Sequence, residues 1–588
     1  MSRWVPRFAI KPWLLSSFVG LGMVVASSVP AAAAPVPVSG AAPAVASASV
    51  STSSLQIVGR TNLANLPSQP AAAPGVAPSG TRSVPLGTPP KTGRAPAGVS
   101  QQSTTALTSV TNTNVGGEFG FTGITAASEP ALSPQIGVVS PPDQGLAVGP
   151  VNGAGTPAAV VEFVNAALAV YTPTGRALAP AIPANQVFGL PATAFLTDPR
   201  AYYDAATGHW FLTAFTFDVV TTAGTVQSMQ YIAVSDSTAV LGRYTVFAIN
   251  TTDASNTAGG CPCFGDFDQV GANVNGFYIA TNQYSVTGTS YNGAVIYALS
   301  KSQLVAAAES ATASAPNVVT YQMSTNLDPF ASYHLSPSTA VGSGGPPNVE
   351  YFVESNANAT EANISGAVVG TGLEVFALLN TNVLNSNGVP TLVQTTVNSE
   401  SYTEPPNAVQ PAPGLPLQTD FNAVQEVTYA GGNLYAELST STGPNLSLSG
   451  VAWFAMRPSV TPNSVSVKMA GQGYVGTAQN LLYPAIGVNG LGQGYLTMAI
   501  SGPSQYPSAA YMTFSGVRGA IGPVHIAAAG AAPLVDFTCF QYDACRYGDY
   551  SMAQAFRGRV YMATEYVASP VGAPASNWAT YVWSAPAP

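Results

Sequence analysis

The stretch GDFDQVGANVNGFYIATNQYS, residues 265 to 285, has a counterpart near the other end of the chain: GDYSMAQAFRGRVYMATEYV, residues 548 to 567. Both stretches open with Gly-Asp-aromatic shortly after a Cys, and both contain an aromatic-rich run with Ala-Thr-Asn or Ala-Thr-Glu. A layout that recurs far apart in one chain indicates an internal structural repeat. The two stretches therefore predict that the chain is built from repeated β-structure.

Seven segments share this layout: a polar or Asp-bearing start, a short strand, a Gly or Asn turn and a second, aromatic strand. Each is followed by one or two further strand patterns. Their starting points lie roughly 55 to 85 residues apart, which suits four-stranded sheets with loop insertions. The segments begin at Asp143, Asp198, Asp266, Ser336, Phe421, Tyr483 and Asp549.

This repeat predicts an all-β fold, a β-propeller, over residues 136 to 588. Each segment would be a small antiparallel sheet, and packing such sheets around an axis covers both of their faces. Seven segments predict seven blades, with six or eight as alternatives because residues 355 to 420 divide less clearly. Tandem β-sandwiches, the competing architecture, would not repeat the Gly-Asp-aromatic opening in register. One helix is predicted, over residues 300 to 313.

The composition restricts the partners of this protein. Of 588 residues only 7% are charged, and the net charge is −9. Binding to nucleic acid requires clustered Lys and Arg, so no nucleic-acid partner is expected. Acid unfolds proteins largely by protonating native carboxylates and leaving positive charges that repel. A chain with few charges is expected to be acid-stable, which suggests an acidic external habitat; an ordinary secreted protein with an Ala-rich composition is the alternative.

Two segments precede the repeats. Residues 1–34 are predicted to be a secretory signal peptide, with a basic start, the apolar run WLLSSFVGLGMVVA and a small-residue cleavage region. An uncleaved anchor is the alternative. Residues 35–130 are rich in Ala, Pro, Ser and Thr, lack periodicity and are predicted to form a disordered low-complexity stalk. Within this stalk, STSSLQIVG has a strand pattern.

Four cysteines allow three disulfide pairings. An oxidising compartment favours disulfides over a metal site, and no His lies nearby. Cys539 and Cys545 can close a short loop, and Cys261 would then pair with Cys263 across one Pro. The sequence thus predicts the disulfides Cys539–Cys545 and Cys261–Cys263.

Four aspartates open repeats and are the candidate catalytic residues: Asp143, Asp198, Asp266 and Asp549. In a propeller, carboxylates at equivalent positions of different blades converge near the central channel, where they can bind a cation or act as acid and base. The favoured reading is structural, because an Asp at a strand start accepts backbone N–H bonds and fixes a turn. Calcium binding is the second reading and catalysis the third.

Further candidates lie on the same segments. Glu565 stands inside an apolar second strand, where an unpaired carboxylate would be costly, so it either pairs with an Arg or points into the channel. Arg200, Arg546 and Tyr550 are candidate ligand-binding residues, since a guanidinium group can hold an anion and a tyrosine ring can stack on a sugar. For the aromatic residues, packing between blades is the favoured alternative. No His spacing typical of a zinc site occurs.

Three stretches resemble the blade motifs of a family of exported bacterial β-propellers with Gly-Asp-Tyr motifs: TDPRAYYDAATGHWFLTAF, GDFDQVGANVNGFYIATN and RYGDYSMAQAFRGRVYMATEY. The resemblance extends over about residues 138 to 588. The family is largely of unknown function, so the resemblance implies a propeller and export but no reaction. It is sometimes called sialidase-like, yet this chain has neither the Ser-x-Asp-x-Gly-x-x-Trp box of sialidases nor a recognisable arginine triad.

These features predict a secreted, periplasmic or cell-surface protein that acts as a binding or interaction module. Its ligand would be a glycan, a protein or another surface component, and no cofactor is implied apart from the calcium alternative. The alternative function is an acid-adapted extracellular hydrolase with the repeat-opening carboxylates as its site. A monomer is expected, with no transmembrane segment after cleavage of the signal peptide.

Overall fold

The computed structural model describes most of the repeat region and parts of the segment before it. The described residues are 44–45, 48–66, 82–83, 107–218, 227–252, 261–285, 291–310, 312–323, 334–342, 345–356, 369–419, 421–570 and 576–588. The predicted signal peptide, residues 1–34, lies outside the described residues. Among the helices that the structure describes, none is both long and apolar enough to cross a membrane.

Several short strands precede the repeats. They are β1 (Ala44–Val45), β2 (Ser49–Ser54), β3 (Gln56–Asn62), β4 (Arg82–Ser83), β5 (Val110–Thr111), β6 (Phe119–Thr125) and β7 (Val139–Ser140).

The rest of the chain forms antiparallel meanders of four strands, numbered here in chain order. Meander 1 contains β8 (Gly145–Pro150), β9 (Ala158–Val164), β10 (Ala167–Tyr171) and β11 (Ile182–Pro183). Meander 2 contains β12 (Leu196–Asp204), β13 (His209–Asp218), β14 (Gln227–Ser235) and β15 (Arg243–Asn250). Meander 3 contains β16 (Cys263–Ala272), β17 (Gly276–Ser285), β18 (Tyr291–Ser300) and β19 (Asn317–Met323).

The later meanders repeat this order. Meander 4 contains β20 (Ser336–Ala340), β21 (Val349–Ser355), β22 (Val369–Leu379) and β23 (Thr391–Thr403). Meander 5 contains β24 (Val424–Ala430), β25 (Asn433–Thr442), β26 (Leu448–Thr461) and β27 (Ser464–Val475). Meander 6 contains β28 (Asn480–Val488), β29 (Gln493–Gly502), β30 (Gln505–Ser515) and β31 (Ala520–Ala528). Meander 7 contains β32 (Met552–Phe556), β33 (Arg559–Tyr566) and β34 (Ala579–Pro586).

The meanders are arranged around a common axis. The first strand of each meander contacts the first strands of its two neighbours, and the series closes where β32 of meander 7 meets β8 of meander 1. The first strands of meanders 3, 4 and 5 also pair in parallel through β16, β20 and β24. A radial series of four-stranded antiparallel sheets is a β-propeller, the fold class that the repeat predicts.

Hydrophobic clusters lie between neighbouring meanders. Trp210 of meander 2 packs with residues of meander 1, and Phe277 of meander 3 packs with residues of meander 2. Between the last meander and the first, Val582 packs in one cluster with Val148. Each sheet alternates side chains between its two faces, so each apolar face becomes buried only against a neighbour. Closure of the ring therefore buries the last pair of apolar faces.

The final meander is completed by the N-terminal segment. Its outermost strand is β6, which pairs antiparallel with β34. Other N-terminal strands extend outer edges: β3 pairs with β15, β2 with β19 and β1 with β23, while β5 pairs in parallel with β31. Main-chain hydrogen bonds thus join the segment before the repeats to the outer edges of the meanders.

These strands differ from the predicted disordered stalk over residues 35–130. The pattern STSSLQIVG does form strand, in β2 and β3, as predicted. The other described strands of this segment also differ from the prediction of disorder. A polar sequence that cannot build its own core can still add to an open sheet edge, because the edge supplies main-chain hydrogen bonds. Residues 35–43, 46–47, 67–81 and 84–106 of the predicted stalk lie outside the described ones.

Helical turns connect the strands. The predicted helix over residues 300 to 313 is α3 (Lys301–Glu309), which begins where Ser300 accepts a hydrogen bond from the Gln303 backbone and lies between β18 and β19. The other α-helices are single turns: α1 (Glu129–Leu132), α2 (Ala184–Val187) and α4 (Cys539–Tyr542). Single 3-10 turns are Leu63–Asn65, Thr381–Ser386, Pro444–Leu446 and Gly516–Arg518.

Both predicted disulfides are confirmed. Cys261 bonds to Cys263 and Cys539 bonds to Cys545. The first bond joins Cys261 to the first residue of β16, and the second lies in the connection that leads into β32. The disulfides therefore fix the approach of the chain to the axis in two of the repeats.

Candidate functional site

The first strands reach the axis through a recurrent left-handed residue. Asp143 and Asp549 stand just before β8 and β32 with φ of 48° and 59°, and Asp198 lies in a bulge of β12 with φ of 49°. Phe267, His334 and Tyr483 occupy the corresponding places of meanders 3, 4 and 6, also with positive φ. Aspartate tolerates this conformation because its short side chain can hydrogen-bond locally. The repeated turn places polar side chains of different meanders near one another.

The four predicted aspartates meet at the axis. Asp143, Asp198, Asp266 and Asp549 are all buried, and together with Arg546 they form what we call the axial cluster. The Asp198 and Asp549 carboxylates lie near enough to Asp143 and to Asp266 to raise the pKa of both groups. The structure therefore brings together all four carboxylates that open repeats.

Each carboxylate of the axial cluster has a polar partner. Asn165 donates to Asp143 Oδ2 over 2.7 Å, and Thr197 donates to Asp198 Oδ1 over 3.0 Å. The Phe267 backbone N–H donates to Asp266 Oδ1 over 3.0 Å.

The fourth carboxylate forms an ion pair. Arg546 Nη2 lies 2.5 Å from Asp549 Oδ2, and both side chains are almost fully buried. A buried ion pair is held by a strong Coulombic attraction but has lost its hydration, so its stability depends on both partners being present. Arg546 is thus the cation that balances part of the charge of the axial cluster.

Burial raises the pKa of three of the clustered aspartates. The pKa of Asp143 is raised well above its usual value, first by loss of hydration and then by the neighbouring Asp549 and Asp198 carboxylates. The pKa of Asp266 is raised well above its usual value by burial and by Asp198, and the pKa of Asp198 is raised by burial and by Asp549. Carboxyl groups whose pKa is raised by burial and by neighbouring carboxylates form the arrangement that general acid–base chemistry uses.

The geometry does not favour a metal site. Among the described residues, no three His, Cys, Asp or Glu side chains are grouped so that they could hold a metal ion together. Calcium would need six to eight oxygen ligands. The clustered acids instead accept hydrogen bonds from Asn165, Thr197 and a backbone N–H, or pair with Arg546.

A cavity of about 110 Å³ runs along the axis beside the cluster. Its walls come from the first strands of all the meanders and are mostly apolar, while Arg200, Gln269 and Glu426 add polar groups. Arg200 donates from Nε to the Asp268 carbonyl over 2.9 Å, and its guanidinium group lies 3.6 Å from the centre of the Tyr550 ring. Arg200 therefore lines the axial cavity and also contacts Tyr550.

The predicted ligand-binding residues lie in two regions, the axial cavity and the axial cluster. Arg200 lines the axial cavity, as the prediction requires of a ligand contact. Arg546 belongs to the axial cluster, and Tyr550 is buried there and donates to Asp198 Oδ2 over 3.2 Å. Glu565 accepts a 2.7 Å hydrogen bond from the Gly548 backbone N–H, so it fixes the turn before Asp549.

Sequence reasoning missed four axial residues. His334 stacks on Phe267 with 3.7 Å between ring centroids, and burial together with Arg200 lowers its pKa to about 3. Asp268 accepts from Gln230 over 2.6 Å. Glu426 lines the axial cavity. If every segment is aligned at the position of Asp198 rather than by overall sequence similarity, Phe267 and His334 fall at that position and become candidate axial residues.

Solved structures similar to this chain include two propeller-type glycosidases and one further propeller. The GH93 α-L-arabinofuranosidase of Fusarium graminearum, in complex with arabinobiose, is 11% identical over 67% of this chain and 98% of that chain, with a TM-score of 0.32. The Dos1 propeller is 8% identical over 72% and 75%, with a TM-score of 0.31. Trypanosoma rangeli sialidase in complex with sialic acid is 9% identical over 66% and 54%, with a TM-score of 0.30. No family model and no curated protein matches the chain.

At these low identities and TM-scores, the similarities carry no argument about activity. The class of this protein rests on the strand pairing and on the closed series of first strands. The fold and the site together define a β-propeller with a buried acid cluster and a cavity on its axis.

Proposed function

We propose that this protein is an exported, seven-bladed β-propeller that acts as a binding module for an extracellular glycan or protein. The observation that carries the proposal is the axial cavity, to which the first strand of every meander contributes. Ligand sites of proteins are typically concave and mostly apolar, with a few fixed polar groups that orient the ligand. The axial cavity has this composition, and its volume of about 110 Å³ suits one polar group of a larger ligand rather than a whole glycan chain.

Two donors are available inside the axial cavity. Arg200 Nη2 and Gln269 Nε2 are buried and have no hydrogen-bond partner among the described residues. An unsatisfied buried donor costs about 1–3 kcal/mol, so a ligand that supplies acceptor groups gains that free energy on binding. The Glu426 side chain adds an acidic group to the same lining. A hydroxyl- or carbonyl-bearing group is the ligand chemistry that fits these partners.

Export is the second part of the proposal. The N-terminal sequence has the features of a signal peptide, and all four cysteines are paired in disulfides, which persist in oxidising compartments. We place the protein outside the cytoplasm as a monomer, either secreted, periplasmic or on the cell surface.

A second candidate function is extracellular hydrolysis. The observation that favours it is the axial cluster, in which Asp143 and Asp266 have raised pKa values beside the ion pair of Asp549 and Arg546. Two carboxyl groups whose environments differ can protonate a leaving group and assist an attacking water. In this reading, substrate enters the axial cavity and Arg200 holds it near the acids.

One experiment distinguishes the two functions. The full chain is applied to an array of immobilised glycans and surface proteins, and hydrolysis of the retained ligands is assayed at about pH 3 and pH 7. Retention without turnover is the expected result and supports a binding module. Turnover that Asp198→Asn abolishes supports the hydrolase, and the absence of both binding and turnover contradicts both proposals.

The location of the site is tested with a variant that fills the axial cavity. Ala555 lines this cavity, so Ala555→Trp is expected to lower the affinity for the retained ligand by at least about tenfold. Asn463→Trp places the same ring on an exposed turn between β26 and β27 and serves as the control. Equal affinities of the two variants would place the ligand elsewhere.

A further inference from the structure

A second concave surface lies away from the axis, between meanders 2 and 3. It has a volume of about 560 Å³ and is lined by β2, by the end of β15 and by β17, β18 and β19. Ligand-binding clefts in proteins commonly fall between about 300 and 1,000 Å³. We call this surface the serine groove, after Ser49, Ser51 and Ser53 of β2, which line its rim.

The serines share one face of the sheet. Alternate residues of a strand point to the same side, so Ser49, Ser51 and Ser53 present their hydroxyls together. β2 pairs with β19 so that Ser49 stands opposite Gln322 and Ser51 opposite Thr320. The register therefore continues the row of hydroxyls into a neighbouring row of polar side chains.

The wall across the groove has the same character. It is formed by Asn250, Thr251 and Thr252 at the end of meander 2. Tyr297 of β18 adds an aromatic ring to the floor of the groove. Aromatic rings bury apolar surface while their edges remain compatible with polar neighbours, as the binding of sugar rings requires.

One polar atom in the lining lacks a partner. Gln283 on β17 is 1% exposed and lines the serine groove, yet its Oε1 has no hydrogen-bond partner among the described residues. A buried acceptor without a donor is unfavourable by about 1–3 kcal/mol, and a ligand hydroxyl would satisfy it. This observation is independent of the serine row and also points to a hydrogen-bonding ligand.

The charge of the lining restricts the ligand. None of the residues that line the serine groove is Asp, Glu, Lys, Arg or His. A charged ligand would lose hydration there without gaining a counter-ion, and a purely apolar ligand would leave hydroxyls and amides unsatisfied. A neutral, hydroxyl-rich ligand meets both conditions. We infer that the serine groove binds a neutral oligosaccharide, at a site separate from the axial site of the proposed function.

The test uses the full chain and an array of immobilised neutral and sialylated oligosaccharides, followed by calorimetric titration with the neutral oligosaccharide retained best. Ser51→Trp, on the exposed rim, is expected to weaken binding by at least about tenfold. Thr52→Trp is the matched control, because Thr52 is the next residue on the same strand, is exposed and points away from the groove. Gln283→Leu is expected to weaken binding several-fold without the added bulk.

Ala555→Trp separates this inference from the proposed function. If the neutral ligand binds in the serine groove, this axial variant keeps wild-type affinity and Ser51→Trp does not. Loss of binding in Ala555→Trp but not in Ser51→Trp would place the ligand at the axis and overturn the inference while leaving the proposed function intact. Retention of sialylated ligands alone, or of none, would also overturn it.

Discussion

Arg546 is the residue on which the charge balance of the axial cluster depends. Its guanidinium group lies 2.5 Å from Asp549 and also opposes the raised pKa values of Asp143 and Asp266. Because the Arg546 side chain is almost fully buried, water cannot replace it as the partner of Asp549. The acids around it are stable as a group only while this cation is present.

Replacing Arg546 by Met is therefore expected to lower the free energy of unfolding by about 3–5 kcal/mol, since it leaves the Asp549 carboxylate buried without its partner. Urea unfolding of the wild type and the variant measures this change. Arg243→Met is the control: Arg243 pairs with Asp236 over 2.7 Å, but its side chain is 73% exposed, and such pairs contribute about 0–1 kcal/mol. Equal losses in both variants would contradict the central role of Arg546.

Left-handed residues at the axis show how the site is held in place. A bulky residue with positive φ is strained by about 1–2 kcal/mol, and His334 and Tyr483 both adopt this conformation. Hydrogen bonds offset the strain: the His334 backbone N–H donates to Asn282 over 3.0 Å, and the Asp198 backbone N–H donates to Asn165 over 2.9 Å. Asn282 lies on β17 and Asn165 directly follows β9, so each residue supports the turn that opens the next meander.

At the scale of elements, the outermost strand of meander 7 supports the closure of the ring, which β32 and β8 make at the axis. β6 comes from the N-terminal segment and contacts meander 1 as well as β34. In particular, Gly123 lies against the carboxylate of Glu162, which accepts a 3.1 Å hydrogen bond from the Ile124 backbone and another hydrogen bond from Thr580. Glycine is required here because no space remains for a side chain.

Gly123→Ala is expected to destabilise the protein by about 1–3 kcal/mol, because its Cβ would overlap the Glu162 carboxylate and the Thr580 hydroxyl. Gly116→Ala, in the same segment, is the matched control, since a Cβ at that position meets nothing within 4 Å. Thermal unfolding followed by circular dichroism compares the two variants. A melting temperature of Gly123→Ala equal to that of Gly116→Ala would mean that β6 does not hold the ring closed.

The meanders could be predicted from the sequence because their strands carry a repeated pattern. The first two strands of meander 3 and of meander 7 match the two quoted stretches, and the left-handed Asp198 and Asp549 open their segments as expected. The aspartates therefore converge where the repeat places them. Both disulfides followed from the spacing of the cysteines.

The edge strands could not be predicted in the same way. The pattern STSSLQIVG predicted part of β2 and β3 as strand, but no local pattern shows which sheet edge β2 or β6 joins, because their partners lie more than a hundred residues away. The serine groove could not be predicted for the same reason. Ser51 becomes part of the groove only because β2 pairs with β19, where Ser51 stands opposite Thr320. Pairing between distant segments is set by tertiary structure, and a single sequence shows no local trace of it.

At the scale of the whole molecule, buried carboxyls determine how stability depends on pH. Burial raises the pKa of Glu162 and Asp268 to about 7 and that of Glu426 to about 8. Between the ordinary carboxyl pKa near 4 and these values, the folded protein binds more protons than the unfolded chain. The slope of the unfolding free energy with pH is then negative. This contribution is fully present below about pH 4 and is lost as the pH rises through 7 to 8.

His334 acts in the opposite direction, because its lowered pKa lets the unfolded chain bind an extra proton below about pH 6.5. The effect of this one imidazole is smaller than the summed effect of several carboxyls. The carboxyls therefore determine the sign of the change in stability with pH.

The protein is therefore expected to melt at a higher temperature at pH 5 than at pH 8, the reverse of a fold that depends on ionised acids. Glu426→Gln removes one of the buried titrations and is expected to reduce the difference between the two melting temperatures, whereas Glu400→Gln, at an exposed position, leaves it unchanged. Differential scanning calorimetry of the three proteins at both pH values measures the effect. A wild type that melts at a lower temperature at pH 5 would show that the buried acids are ionised in the folded state and that the axial cluster is held together by charge rather than by neutral acids.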